Sequence, residues 1–354
     1  MSPEAKKELE QHVQAISKLL YEDADKSKLS TFSEIEVMVR QQIQEQVSPQ
    51  IGKFFIQNLT NAAPGYSRTV KSILGTITLS SSAAHILGVR KGSQMTPYLE
   101  ACCLHLSANV SYENAATEVA FLTGIAVSAS TQQRLVQGYE FAAPSVRPES
   151  LITEVAVDGG KVRLRTPEGE ESCWRDYKAI VSDQGMVANF QNNGALIDWT
   201  NQQPHSIPLT CLGDGHDGIW NIIQQIASEP ERREVLDWYH LNENLHKVGG
   251  SRKRLDLAEK LLWQGKVDET IALFTDLKLK QAQNFCNYLR KHQHRIVNYD
   301  YYQAEGICSI GSGMVESGIK QIDRRIQISG AQWKAENVPQ VLAHRTAYIN
   351  GIIS

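Results

Sequence analysis

The stretches VAVDGG (155–160) and TCLGDG (210–215) follow one pattern, an apolar run, then Asp, then Gly. A short apolar run bounded by glycine reads as a buried strand. An Asp at the end of such a strand, beside Gly, puts a carboxylate at the sheet rim, where backbone and ligand can approach closely. If the two runs are neighbouring strands, Asp158 and Asp214 converge. Two close carboxylates repel unless a cation or a proton lies between them. Mg²⁺ suits all-oxygen ligands and completes its shell with water and phosphate oxygens. Two such ions can clamp the attacking and leaving oxygens of a displacement at phosphorus.

A third acid should come from a helix lying across those strands. SIGSGMVESGIKQIDRRI (309–326) supplies it. Val315, Ile319, Ile322 and Ile326 recur at helical spacing and form the stripe to be buried. Glu316 and Lys320 sit one position further round, so Glu316 can face the sheet edge while the helix stays packed. Lys320 and Arg324 follow on the same side, suited to phosphate. Taken singly, each Asp-Gly is equally a turn, and Glu316 a solvent-facing helix residue. Asp183, Asp217 and Asp237 are rival acids, Asp217 standing at a helix start where negative charge is favourable anyway.

Around these motifs the elements alternate. EVAVDGGKVRLR (154–165) alternates apolar and polar residues on both sides of Gly159-Gly160, which predicts a hairpin with a tight turn there. DYKAIVS (176–182) reads as a third strand, ALIDWTNQQ (195–203) as a helix, IPLTCLGD (207–214) as a strand, GIWNIIQQIA (218–227) as a helix, and VLDWYH (235–240) as a strand running into a helix. This β-β-β-α-β-α-β order predicts an α/β fold with an RNase H-like mixed sheet. Residues 241–305 read as an all-α insertion, so the catalytic domain comprises 151–240 and 306–354.

Residues 1–140 read as a helical, DNA-binding region. Leu9, Val13, Ile16 and Leu20 make one stripe, and Ile35, Val39 and Ile43 follow a capping box at Thr31 and Glu34. NAAPGYS (61–67) reads as a loop, VKSILGTITL (70–79) as a short hairpin or strand, and Thr96-Pro97 as a helix start. From 111 to 139 the pattern is helix, break at Thr123-Gly124, helix. Ala120 and Gly124 fit the turn of a helix-turn-helix, with Ser128 or Ser130 capping a second helix that exposes Gln132, Gln133 and Arg134. A plain helical hairpin reads equally well. FAAPSVRPES (141–150) is the expected linker.

Composition is that of an ordinary globular protein, 42% hydrophobic and 21% charged over 354 residues. No apolar run is long enough for a bilayer, and the polar opening MSPEAKKELEQ predicts no signal peptide. Six cysteines without a CxxC pair argue against a disulfide framework and a zinc ribbon, and fit a reducing cytosol. A net charge of −3 conceals a basic segment: Lys247 to Arg295 holds eleven Lys/Arg against five Asp/Glu, including Arg252, Lys253 and Arg254. Such a run is a solvated surface or a wall for DNA.

VAVDGGKVRLRTPEG (155–169), TCLGDGHDGIWNII (210–223), REVLDWYHLNENL (233–245), GSGMVESGIKQIDRRIQISGAQW (311–333) and VLAHRTAYING (341–351) together resemble bacterial insertion-sequence transposases of the ISKra group, DDE enzymes related to the Mutator-like superfamily. The likeness runs from about residue 111 onward and is weaker before it. It implies a transposase that cuts and rejoins transposon ends, with Asp158, Asp214 and Glu316 as the catalytic, metal-binding triad. It implies two Mg²⁺ ions, replaceable by Mn²⁺, and a supporting DxxH motif in Asp237 and His240; the other reading of His240 is a satisfied core histidine. The implied partners are terminal inverted repeats and target DNA, in a homodimer or larger synaptic assembly, cytoplasmic and nucleoid-associated, with no membrane and no small-molecule substrate. Two alternatives remain, an RNase H-like structure-specific nuclease and a catalytically idle, transposase-derived DNA-binding regulator. The chain lacks the Cys-rich, zinc-ribbon-like segment that many relatives carry upstream of the helix-turn-helix region.

Overall fold

The structure, a computed structural model, describes residues 1–60, 65–145 and 149–353. These divide into two compact units, one of residues 1–107 and 112–135, the other of residues 108–111 and 136–354.

The first unit opens with α1 (Pro3–Asp23), α2 (Phe32–Gln42) and α3 (Ser48–Thr60). Thr31 and Glu34 form the expected capping box, each side chain bonding the other's backbone N–H. The apolar stripe of α1 is in register but not buried: Leu9 and Val13 are about half exposed, and α1 buries none of its residues. The hairpin β1 (Ser67–Ser72) and β2 (Gly75–Ser80) turns over Ile73-Leu74, and Gly75 takes the positive φ that lets the chain reverse. Of the expected loop at 61–67, residues 61–64 lie outside the described residues. The unit continues with α4 (Ser81–Ile86), α5 (Pro97–Ser107), α6 (Tyr112–Thr123) and the start of α7 (Ala129–Gln137). Gly124, at φ +74°, ends α6, and Ser128 accepts a hydrogen bond from the Thr131 N–H at the start of α7.

Gln132 is fully buried rather than exposed. Its amide donates to the Val127 carbonyl at 3.4 Å, because the turn folds α7 back onto the residues just before it. Gln133 and Arg134 are exposed as expected. The expected linker falls within the second unit, with Phe141 and Pro144 half-buried and Ala142, Ala143 and Ser145 exposed, and residues 146–148 lie outside the described residues. Phe141 stacks on His344 at 4.9 Å, and Trp199 donates to the Pro144 carbonyl at 2.8 Å. The two units therefore part at Leu135 and Val136, ahead of the Pro/Ser stretch.

The second unit is mixed α/β. Its sheet holds β3 (Ile152–Leu164), β4 (Cys173–Ser182), β5 (Gly185–Phe190), β6 (His205–Gly213) and β7 (Arg232–Leu236), in the order β5-β4-β3-β6-β7. β4 alone runs antiparallel to its neighbours, and β3, β6 and β7 are parallel. α8 (Asn193–Gln202) and α9 (Asp217–Ile223) connect the last three strands. Between β7 and α15 (Gly313–Ile326) come α10 (Trp238–His246), α11 (Arg252–Trp263), α12 (Val267–Ala272), α13 (Lys280–His292) and α14 (Tyr299–Ala304); α16 (Val338–Ile349) follows. These helices share one core with the sheet, where Trp238 meets Trp263 and Tyr299. Leu255, Ala258 and Leu262 make the buried side of α11, whereas Leu257 is exposed.

The hairpin expected at Gly159-Gly160 does not exist. β3 runs straight through both glycines, neither at positive φ, and they pair with Lys178 and Tyr177 of β4. The glycines serve close approach: a Cβ on Gly160 would collide with the Tyr177 ring, which crosses above it to donate to Asp323 Oδ1 at 2.8 Å. The real hairpin lies later, at Asp183-Gln184 between β4 and β5. One supposed turn too many and one overlooked turn offset each other, so the β-β-β-α-β-α-β order stands although two of its strands were misplaced.

Candidate active site

Three parallel strands run in step, and β6 and β7 end at a level where β3 continues. Val157 of β3 pairs with Gly213 of β6, which pairs with Leu236 of β7, so the next residues, Asp158, Asp214 and Asp237, form one row across the sheet. The Asp237 N–H donates to the Gly213 carbonyl at 2.9 Å, carrying the β6–β7 pairing into that row. β3 is the middle strand of the five, and within the row Asp214 stands between Asp158 and Asp237.

Burial pushes the Asp158 carboxyl up, and the nearby charge of Asp214 adds to it, while the Gly159 N–H, 2.6 Å from Oδ1, Lys178 and His240 oppose the rise. The Asp214 carboxylate accepts the His216 N–H at 2.8 Å, and its carbonyl accepts the Trp220 indole N–H at 2.6 Å.

Asp237 is fully buried and has a different task. It caps α10 through the His240 N–H at 2.7 Å, and its other oxygen accepts the Ser312 N–H at the head of α15. Burial works to raise this carboxyl, but the hydrogen bonds from His240 and Ser312 outweigh it and hold it low. His240 Nδ1 lies 3.1 Å from Asp237 Oδ1, close enough for an ion pair though poorly aligned for a hydrogen bond. That contact drives the imidazole pKa up to about 9 against burial, and the charges of Asp237, Asp214 and Glu316 add to it.

Glu316 sits in the first turn of α15, which packs on β3 and β4; Gly318 lets the helix close on Val181 and Met186. All four residues of its predicted stripe are buried. Glu316 pairs with Lys320 at 3.7 Å and lies within electrostatic reach of His240. Arg324 is exposed.

The three carboxylates thus gather round one end of the sheet, but among the described residues no group of three or more His, Cys, Asp or Glu is tight enough to hold a metal ion. Asp158 and Asp214 repel each other from adjacent strands, with Lys178 and His240 opposing that repulsion at Asp158, and they form an all-oxygen pair of the kind that takes a hard divalent cation. These two fit such an ion, and Glu316 would reach it by leaving Lys320. The rival acids have other occupations: Asp183 accepts from Thr153 at the far end of β3, and Asp217 pairs with Lys291.

Sequence reasoning missed Lys178, Trp220 and Tyr288. Lys178 neighbours the site through a strand register that no local pattern encodes. The Gly after Asp214 was a usable signal: its missing Cβ makes room for the Tyr288 ring. Arg252 and Lys253 are exposed, Arg254 is half-buried, and Lys291 of the same basic segment pairs with Asp217. No helix among the described residues is long and apolar enough to cross a membrane.

No family model matches the chain, and no curated protein matches it.

Proposed function

We propose that this chain is a DDE transposase of the ISKra insertion-sequence kind, an RNase H-like, Mg²⁺-dependent enzyme that cleaves transposon ends and transfers the freed strand to target DNA. One observation carries the reading: Asp158 and Asp214 stand side by side on adjacent parallel strands while α15 brings Glu316 to the same end of the sheet. The strand order, with only the second strand reversed, supports the RNase H-like assignment.

Bound divalent ions would polarise the scissile phosphate and activate water, then the 3′-OH. Asp158, Asp214 and Glu316 would together hold the two ions, Glu316 once released from Lys320. His240, protonated and fixed by Asp237, would offset negative charge where acids and phosphates meet. The unit formed by α6 and α7, with Gln133 and Arg134 outward, would read the terminal repeats as a helix-turn-helix. Lys320, Arg324 and the α11 cluster Arg252, Lys253 and Arg254 would neutralise the DNA backbone. Two ends must be joined, so the working form is a homodimer or larger assembly, in the cytoplasm on nucleoid DNA.

The second reading is a catalytically idle DNA-binding regulator, in which Glu316 keeps its pairing with Lys320. Incubating the protein and Mg²⁺ with DNA bearing the element's ends decides between them. Joined products support the transposase, cleavage without joining supports a structure-specific nuclease, and binding alone supports the regulator.

A further inference from the structure

The segment from Asp214 to Trp220 is gripped from one side by a single helix of the insertion. The Tyr288 ring of α13 is pressed against the backbone of Gly215, where any Cβ would strike its ring carbons and hydroxyl. One turn on, Lys291 pairs with Asp217. His292 is fully buried with its ring 6.0 Å from that of Trp220, and the Arg295 guanidinium lies 3.9 Å over the same indole. Trp220 in turn holds the Asp214 carbonyl. The far end of the grip is fixed: Arg295 donates to Glu234 of β7 at 2.7 Å, and Glu234 also takes Arg232 at 2.9 Å. Residues 288, 291, 292 and 295 share one side of the helix and its 3₁₀ extension, and that side faces the Asp214 segment throughout.

We infer that α13 is a positioning element for the Asp214 carboxylate, with Tyr288 and the Trp220–Arg295–His292 stack as its working parts. An RNase H-like sheet is complete without residues 241–305, and the insertion thereby acquires a task at the site itself. This rests on the metal-site reading of Asp214. A carboxylate that follows a glycine-flanked strand end has little to hold its main chain, and the ring on Gly215 removes that freedom. The Tyr288 hydroxyl is buried without a well-formed hydrogen bond, so the ring rather than the hydroxyl supplies the constraint.

The test uses the full-length protein with Mn²⁺ as probe. Tyr288→Ala, Tyr288→Leu and Tyr288→Phe are compared by Mn²⁺ titration in electron paramagnetic resonance and by amide hydrogen exchange at His216 and Asp217. Losing a supporting contact lowers metal affinity by about tenfold to a hundredfold. Tyr288→Ala should show that loss together with faster His216 exchange, while exchange in β3 and β4 stays unchanged. Tyr288→Phe should keep both at wild-type values, and Tyr288→Leu, which removes the ring that touches Gly215 but still fills the apolar base of the side chain's site, serves if the Ala variant does not fold. Wild-type Mn²⁺ affinity and His216 exchange in the Ala or Leu variant would overturn the inference. If the wild type itself takes up no Mn²⁺, the metal-site reading fails, and His216 exchange alone then decides whether α13 restrains the segment.

Discussion

The imidazole of His240 lies 3.1 Å from the carboxylate of Asp237, and that carboxylate is fully buried beneath it. A motif that looks local in the sequence thereby joins three elements, since the same Asp237 caps α10 and receives the head of α15. The pair sets a positive charge beside a row of acids.

That charge should persist in the metal-free protein well past neutral pH. The raised pKa of about 9 means that the contact's contribution to stability is complete below the ordinary histidine range and is lost as pH rises through 9. Nuclear magnetic resonance titration of the imidazole should find its midpoint near that value. Asp237→Asn should bring it down toward about 6.5. An unmoved midpoint in the variant would show that the acids of the site, not Asp237, hold the proton.

The acid row makes a paired prediction. Asp158→Asn, Asp214→Asn and Glu316→Gln should each lower cleavage and joining by about a thousandfold or more, since metal-assisted charge stabilisation is worth several kcal/mol. DNA binding should survive in all three. In the metal-free protein Asp158→Asn should not destabilise the fold, because burial and the Asp214 charge already work against the ionised form. Near-normal turnover by any of the three would reassign the chemistry.

Acid should loosen the insertion. His292 is fully buried and its pKa is pushed down to about 4, by burial first and then by the charges of Arg295 and Lys291. The unfolded chain takes up a proton near pH 6.5 that the folded chain refuses. Stability is therefore whole above that value and falls as pH drops toward 4, by up to about 3 kcal/mol. Urea midpoints between pH 7 and pH 4.5 should show this slope in the wild type and a shallower one in His292→Gln.

Gly160→Val should destabilise the sheet by about 1–3 kcal/mol, the usual range for overpacking, because the new side chain meets the Tyr177 ring. Tyr177→Phe should cost about 1 kcal/mol through the lost bond to Asp323. Equilibrium denaturation measures both, and an unaffected Gly160→Val midpoint would mean that the ring swings aside freely.

Charge reversal of Arg252, Lys253 and Arg254 together should weaken binding to any DNA and reduce the salt slope by up to about 3. Arg252 and Lys253 are exposed and free to act on a distant phosphate. Equal affinity and slope in fluorescence anisotropy would assign the cluster to the solvated surface.

Where neighbours along the chain decide the structure, the sequence was sufficient. The α15 stripe Val315, Ile319, Ile322 and Ile326 is buried throughout, and Thr31 and Glu34 cap as spaced. Both features arise within a few residues, from helical periodicity and the first turn's unpaired N–H groups. Of the two Asp-Gly pairs expected at strand ends, only Asp214-Gly215 closes its strand, while β3 continues through Asp158-Gly159. Tertiary structure alone decided the rest. Gly159-Gly160 looked like a turn because glycine permits one, and only the Tyr177 ring on the neighbouring strand shows that the glycines serve contact instead. Gln132 looked outward by its polarity, yet the α6–α7 bend buries it with its own hydrogen bond. The common row of Asp158, Asp214 and Asp237 depends on strand register, and the grip of Tyr288 on Gly215 links residues more than seventy positions apart. Such contacts are set by how whole elements pack, a choice the core makes collectively and no local pattern records.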